Sequence, residues 1–111
     1  MVALDTVFEL LRDERRRRYV LYYLNDRDGP VSVRELVTVI DEWEDDPAGR
    51  HDSLDTFEEI MVELKHVHLP RSSEVEFIQY DPDQGLIQIQ GSPREFDALV
   101  TVARLIEKPD Q

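Results

Sequence analysis

From Ser53 to Gly91 the chain carries a long amphipathic pattern followed by two short alternating runs, and no other feature narrows its fold as much. Phe57, Ile60, Met61, Leu64, Val67 and His68 recur at helical spacing, so they are expected to face inward on a helix that begins near Ser53. Pro70 interrupts that helix, as a kink rather than a stop. Phe77-Ile78-Gln79-Tyr80 and Leu86-Ile87-Gln88-Ile89-Gln90 alternate with period two, and Asp81-Pro82-Asp83-Gln84-Gly85 between them reads as a hairpin loop. Ile78 and Tyr80 are then expected to face Ile87 and Ile89 on the core side.

Upstream, Leu4, Phe8 and Leu11, with Val7 beside them, give a short apolar stripe at helical spacing. Asp13 is the expected cap of the next helix, with Glu14 in its first turn and Arg17, Val20, Leu21 and Leu24 along one side to about Leu24. Asp28-Gly29-Pro30 is a turn, and Pro30 favours extended chain around Val31. Ser32 and Glu35 form a capping box ahead of a helix whose inward face is Val33, Leu36, Val37, Ile40 and Trp43. That helix is expected to stop in Glu44-Asp45-Asp46-Pro47-Ala48-Gly49. After the hairpin, Ser92-Pro93-Arg94-Glu95 combines a cap serine, a first-turn proline and a glutamate three residues past the cap. Phe96, Leu99, Val100, Ala103 and Ile106 then give the last helix a continuous apolar stripe. This order predicts one α+β, mainly helical domain over residues 1–111: a winged helix-turn-helix with a β-hairpin wing and a C-terminal amphipathic helix. In that architecture the third helix and the hairpin are the parts that usually meet DNA.

Composition excludes several functions. Cysteine is absent, so there is no disulfide framework, thiolate metal site or cysteine nucleophile. No apolar run approaches the roughly 18 residues of a membrane span, and the N-terminus lacks a signal-peptide layout, so a soluble, cytoplasmic protein with no membrane partner is expected. Asp+Glu number 25 against Lys+Arg 13, a net charge of −12 and a pI near 4.5, yet 41% of residues are apolar. The chain therefore reads as a folded domain in an acidic shell. Lysine occurs only at Lys65 and Lys108. Many carboxylates, few lysines and an arginine bias point to a salt-rich cytoplasm, where a Debye length of about 3 Å or less at molar salt quenches the self-repulsion. A merely acidic mesophilic protein is the alternative. No catalytic carboxylate pair, nucleophile elbow, phosphate-binding glycine loop or dinucleotide fingerprint is present, so neither an enzyme nor a cofactor is expected.

Leu4-x-x-x-Phe8-x-Leu10-Leu11, the run Arg15 to Leu24, Gly29-Pro30-Val31-Ser32, His66-Val67-His68-Leu69-Pro70 and Ile78-x-Tyr80-Asp81 resemble small haloarchaeal winged-helix proteins, mostly of unassigned function. The passage from helix to wing is more distantly similar to that of ArsR-type repressors. Two positions depart from the pattern: Ser72 stands where a leucine is usual, and Glu76 where a glycine usually caps the helix in the left-handed conformation. Glutamate adopts that conformation only at a steric cost, so the end of the third helix is expected to be shifted or loosened. The resemblance implies a dimeric DNA-binding transcriptional regulator.

Double-stranded DNA is the expected partner, together with a second copy of the chain. Arg15, Arg16 and Arg18, interleaved with tyrosines on two exposed faces (Arg15, Arg18 and Tyr22; Arg16, Tyr19 and Tyr23), are candidates for flanking phosphates. Their alternative role is to pair with the chain's own carboxylates. Thr56, Lys65, His66, Arg71, Gln79 and Gln88 complete the candidate DNA-binding set. The third helix also presents Asp55, Glu58, Glu59 and Glu63 outward, and Asp81 and Asp83 make the wing tip acidic. Carboxylates repel phosphate, which leaves open a protein-interaction module that keeps the fold without nucleic acid. His66 and His68, two apart on a helix, point about 200° apart and are not expected to share a metal ion with each other or with His51. Phe96, Leu99, Val100, Ala103 and Ile106 either mediate dimerisation, joined by Leu4, Phe8 and Leu11, or pack onto their own core.

Overall fold

The computed structural model describes residues 4–12, 14–44 and 53–109, the side chains of Leu4 and of residues 53–55 excepted. The expected cap at Asp13, the acidic stretch from Asp45 to Gly49 and His51 lie outside the described residues, as does the Asp55 side chain. Helix α2 (Arg15–Asn25) runs through the middle of the molecule and packs against α1 (Leu4–Leu11), α3 (Val33–Trp43), α6 (Arg94–Glu107) and the sheet. Encirclement buries Tyr19 and Tyr22 along with Val20, Leu21 and Leu24, so the two exposed arginine-tyrosine faces expected from spacing do not form. On α1 the buried residues are Val7 and Leu10, while Phe8 turns outward, a rotation from the expected Leu4-Phe8-Leu11 stripe. The Arg17 side chain fixes this rotation: its guanidinium donates to the carbonyls of Leu10 (2.6 Å) and Glu9 (2.7 Å) in the last turn of α1, and to that of Arg12 (3.2 Å) just past it.

Helix α3 begins where the capping box places it. Ser32 is extended, and its Oγ accepts from the Glu35 N–H at 3.0 Å. Val33, Leu36, Val37 and Ile40 are buried, and half-buried Trp43 sits edge-on to Tyr19 at 5.5 Å.

Helix α4 (Ser53–Glu63) continues through a π-helical turn at Leu64–His68 into α5 (Leu69–Ser72). In the π turn the Leu69 N–H reaches back five residues, to Leu64 O. Pro70 explains the widening: its ring crowds the carbonyl four residues earlier, and a wider turn makes room for it. The proline therefore neither stops the helix nor breaks it. The extra residue in the turn shifts the inward face to Leu64, His68, Leu69 and Ser72, leaving Val67, expected inside, exposed to solvent. After Ser72 the chain leaves by successive turns, with Ser73 N–H on Leu69 O and Glu74 N–H on Arg71 O. Glu76 is not left-handed; among the described residues Lys108 is the single non-glycine with positive φ.

Strands β1 (Val31–Ser32), β2 (Ile78–Asp81) and β3 (Leu86–Ile89) form a small antiparallel sheet in the order β1-β3-β2. Ile78 pairs with Ile89 and Tyr80 with Ile87, the facing that alternation predicts, and Val31 pairs with Ile87. The Asp81 carboxylate accepts from the N–H groups of Asp83 and Gln84, which closes the hairpin loop. Gly85, at φ 65°, turns its carbonyl onto the otherwise unpaired N–H of Val33 at 2.9 Å, tying the hairpin to the start of α3.

Pro93, not Ser92, occupies the cap position of α6, and the Ser92 hydroxyl donates to the Asp97 carboxylate at 2.7 Å. The proline ring favours an extended Ser92, one residue too early to bond the helix's own N–H groups. Phe96 and Val100 are buried, Leu99 and Ala103 pack against the core, and Phe96 meets Phe77 edge-on at 4.7 Å. The whole is α+β and mostly helical, and no described helix is long and apolar enough to cross a membrane.

Candidate nucleic-acid interface

The arginine run is drawn into the protein. Arg16 donates through Nε and Nη2 to the Glu44 carboxylate at 2.9–3.1 Å, and through Nη1 to Glu59 (3.1 Å) and Glu63 (2.8 Å). Hydrogen bonding to Glu44 outweighs burial and raises its pKa further above the ordinary arginine value. Arg18 makes a two-point contact with Glu107, both distances 2.9 Å, and donates to Leu11 O at 2.8 Å. The Tyr22 hydroxyl donates to the same carboxylate at 2.7 Å, and burial followed by that bond pushes the phenol pKa up. Only Arg15 of the three phosphate candidates stands exposed, its guanidinium 3.8 Å from Glu44 and over the Tyr19 ring. Arg16 and Arg18 thus brace α2 against α3, α4 and α6, the carboxylate pairing that was the alternative role for this run. The partners lie 28 to 89 residues away in sequence, so local spacing could not reveal them.

One flank of α4 and the π turn is left uncovered by the other described elements. Glu58, Glu59, Val62, Lys65, His66 and Val67 are exposed, Thr56 is half-buried, and Arg71 is exposed within 3.4 Å of Glu9 and 3.5 Å of Glu74. Glu63, expected outward, turns in to Arg16 and His68. Arg34, which the candidate set missed, is exposed on α3 with its guanidinium 5.8 Å from the Phe57 ring of α4, at the corner between the two helices. On the hairpin, Gln79 and Gln88 are register partners on the face opposite the core; Gln79 also donates to Glu76 O. The hairpin loop around Asp83 is acidic and exposed.

His66 and His68 diverge, the first exposed and the second fully buried. His68 instead meets carboxylates: its Nε2 is 2.6 Å from Glu63 Oε1 and 4.0 Å from Glu14 Oε2. Burial alone would raise the Glu63 pKa, but its bond to His68 and the charge of Arg16 hold it below the ordinary carboxylate value. Of the expected dimer stripe, Phe96 and Val100 are committed to the core, while Ile106 is exposed beside Val102 and Leu105.

Comparison with curated proteins and with solved structures returns no match. A family model does match, over residues 8–88, from α1 to β3. The chain belongs to that family, DUF7344, described as a domain of unknown function.

Proposed function

We propose that the chain is a winged helix-turn-helix transcriptional regulator that binds double-stranded DNA as a homodimer in the salt-rich cytoplasm of a halophilic archaeon. In this reading α3 and α4 are the helix-turn-helix pair, β2 and β3 the wing, and the α4–α5 helix the element that enters the major groove. The observation that carries it is the free flank of α4, which no other described element covers. Lys65, His66 and Thr56 on that flank, Arg34 at its corner, Arg71 near its end and the Gln79–Gln88 pair on the wing supply the contacts; Arg15 reaches a flanking phosphate. Apolar Val102, Leu105 and Ile106 on the outer face of α6, with Phe8 on α1, form the dimer contact, and sedimentation equilibrium should return twice the chain mass.

Mobility shifts and footprinting in about 2–4 M KCl, the range at which screening shrinks to a few ångströms, test the DNA reading. A protected site on the gene's own upstream region is expected, with affinity about tenfold lower in Lys65→Glu and unchanged in Arg18→Gln once folding is verified. Absence of any protected site overturns it. One observation favours a second reading, a protein-interaction module: Arg16 and Arg18 are engaged internally, and Glu58 and Glu59 face outward where base contacts would be made. Capture of a basic protein by α4, lost in Glu58→Lys/Glu59→Lys without any DNA footprint, would decide for it.

A further inference from the structure

We propose that Glu14, Glu63 and His68 form a binding site for a divalent first-row metal ion, zinc(II) foremost. One ligand-type atom from each lies within 4.8 Å of the other two. They come from three separate places in the chain: the residue before α2, the last residue of α4 and the end of the π turn.

The π turn creates the arrangement. Residues five apart on an α-helix point about 140° away from each other, so Glu63 and His68 would diverge. Hydrogen bonding in the five-residue register turns them to one side, with Nε2 and Oε1 only 2.6 Å apart. The imidazole is fully buried, yet it directs Nε2 at two carboxylates, and Nδ1 has no hydrogen-bond partner among the described residues. Arg16 holds the second oxygen of Glu63 at 2.8 Å, orienting that carboxylate as outer partners orient metal ligands.

Charge and geometry fit a dication. Among the described residues, Arg15 and Arg16 engage the carboxylates of Glu44, Glu59 and Glu63, and the Glu14 carboxylate adds a further negative charge beside His68. Zinc bonds nitrogen and oxygen at about 2.0–2.2 Å, so tetrahedral ligands stand roughly 3.3–3.5 Å apart. The separations from His68 Nε2, 2.6 and 4.0 Å, straddle that value, and the Glu14 and Glu63 ligand atoms lie within 4.8 Å of each other, so shifts of about an ångström in Glu63 and half-exposed Glu14 would meet it. Water completes the shell from the Glu14 side. The bound ion ties Glu14, just ahead of α2, to the π turn and takes the place of the direct contact between His68 and Glu63.

Calorimetric titration of zinc chloride into the metal-stripped full chain at pH 7 in KCl tests the site. One saturable site of micromolar or tighter affinity is expected, at least tenfold weaker in Glu14→Gln and unchanged in Glu9→Gln, a neighbouring exposed carboxylate outside the triad. In a parallel NMR titration of the wild type, zinc should shift the His68 ring. Zinc-induced shifts confined to His51 and His66, no saturable site, or undiminished affinity in Glu14→Gln would each overturn the proposal.

Discussion

Glu107→Gln isolates the joint that holds α6 to the centre of the molecule. The native carboxylate receives both arms of Arg18 at 2.9 Å and the Tyr22 hydroxyl at 2.7 Å. Glutamine keeps the shape and one acceptor oxygen but removes the charge, leaving Arg18 opposite a neutral amide. A fully buried pair broken from one side costs about 3–5 kcal/mol, and a fully exposed one about 0–1 kcal/mol. The two side chains here are 22% and 20% exposed, and one hydrogen bond survives, so about 2 kcal/mol is expected. For a chain of this length that lowers Tm by roughly 8 °C. The assay is thermal and urea unfolding followed by circular dichroism at fixed KCl, with Arg18→Gln and the double variant completing a cycle. The Arg18 hydrogen bond, then burial opposing it and the Tyr22 bond assisting, hold the Glu107 pKa below the ordinary value. A depressed folded pKa means stabilisation fully present above the unfolded pKa, about 4.3, and lost as pH falls through the folded value. The gap between wild type and Glu107→Gln should therefore be widest above about pH 5 and close below it. A gap under about 0.5 kcal/mol at pH 7, or one that persists undiminished at pH 3, would refute this account.

Arg17→Gln strips three carbonyls at the end of α1 of their charged donor and should lower the urea midpoint by an amount equivalent to about 2–4 kcal/mol. Lys108→Gly relieves a left-handed side chain at the C-cap of α6 and should raise Tm by about 2–4 °C in a thermal melt; an unchanged or lower Tm counts against strain there. The net charge of −12 predicts that Tm rises as KCl goes from about 0.1 to 2 M, and a flat melt series would show that self-repulsion is negligible.

What was legible in the sequence is what local physics decides. Ser32 caps α3 because its hydroxyl and the Glu35 N–H are three residues apart, and the hairpin register follows from alternation about a five-residue loop. The inward face of α3 was readable for the same reason. Legibility failed where distant parts compete for one group. The Arg15–Arg18 run has the same local pattern whether it meets phosphate or carboxylate, and the carboxylates that engage Arg16 and Arg18 here, Glu44, Glu63 and Glu107, are remote in sequence. Periodicity placed Val67 inside because it assumes α-helical pitch, and a π turn next to Pro70 breaks that assumption. The same turn hid the approach of Glu63 to His68, since a five-residue separation carries no signal in either helical template.

Internal use of the arginines sets how salt must act on any DNA complex of this chain. An ordinary binder releases counter-ions from phosphate, and its affinity falls steadily with salt. Here the free flank of α4 offers Lys65 and His66 against Glu58 and Glu59, and Arg16 and Arg18 are satisfied by carboxylates they would have to abandon. If the chain binds DNA as proposed, the acidic surface is expected at low salt to repel the duplex more than Lys65 and the other exposed cations attract it. Added KCl first weakens that repulsion and only later competes for the contacts, so affinity should climb through the sub-molar range before it declines. A fluorescence-anisotropy series across KCl concentrations distinguishes the cases. Steady decline from the lowest salt would mean that the arginines do leave Glu44 and Glu107 for phosphate, and that their internal bracing gives way on binding.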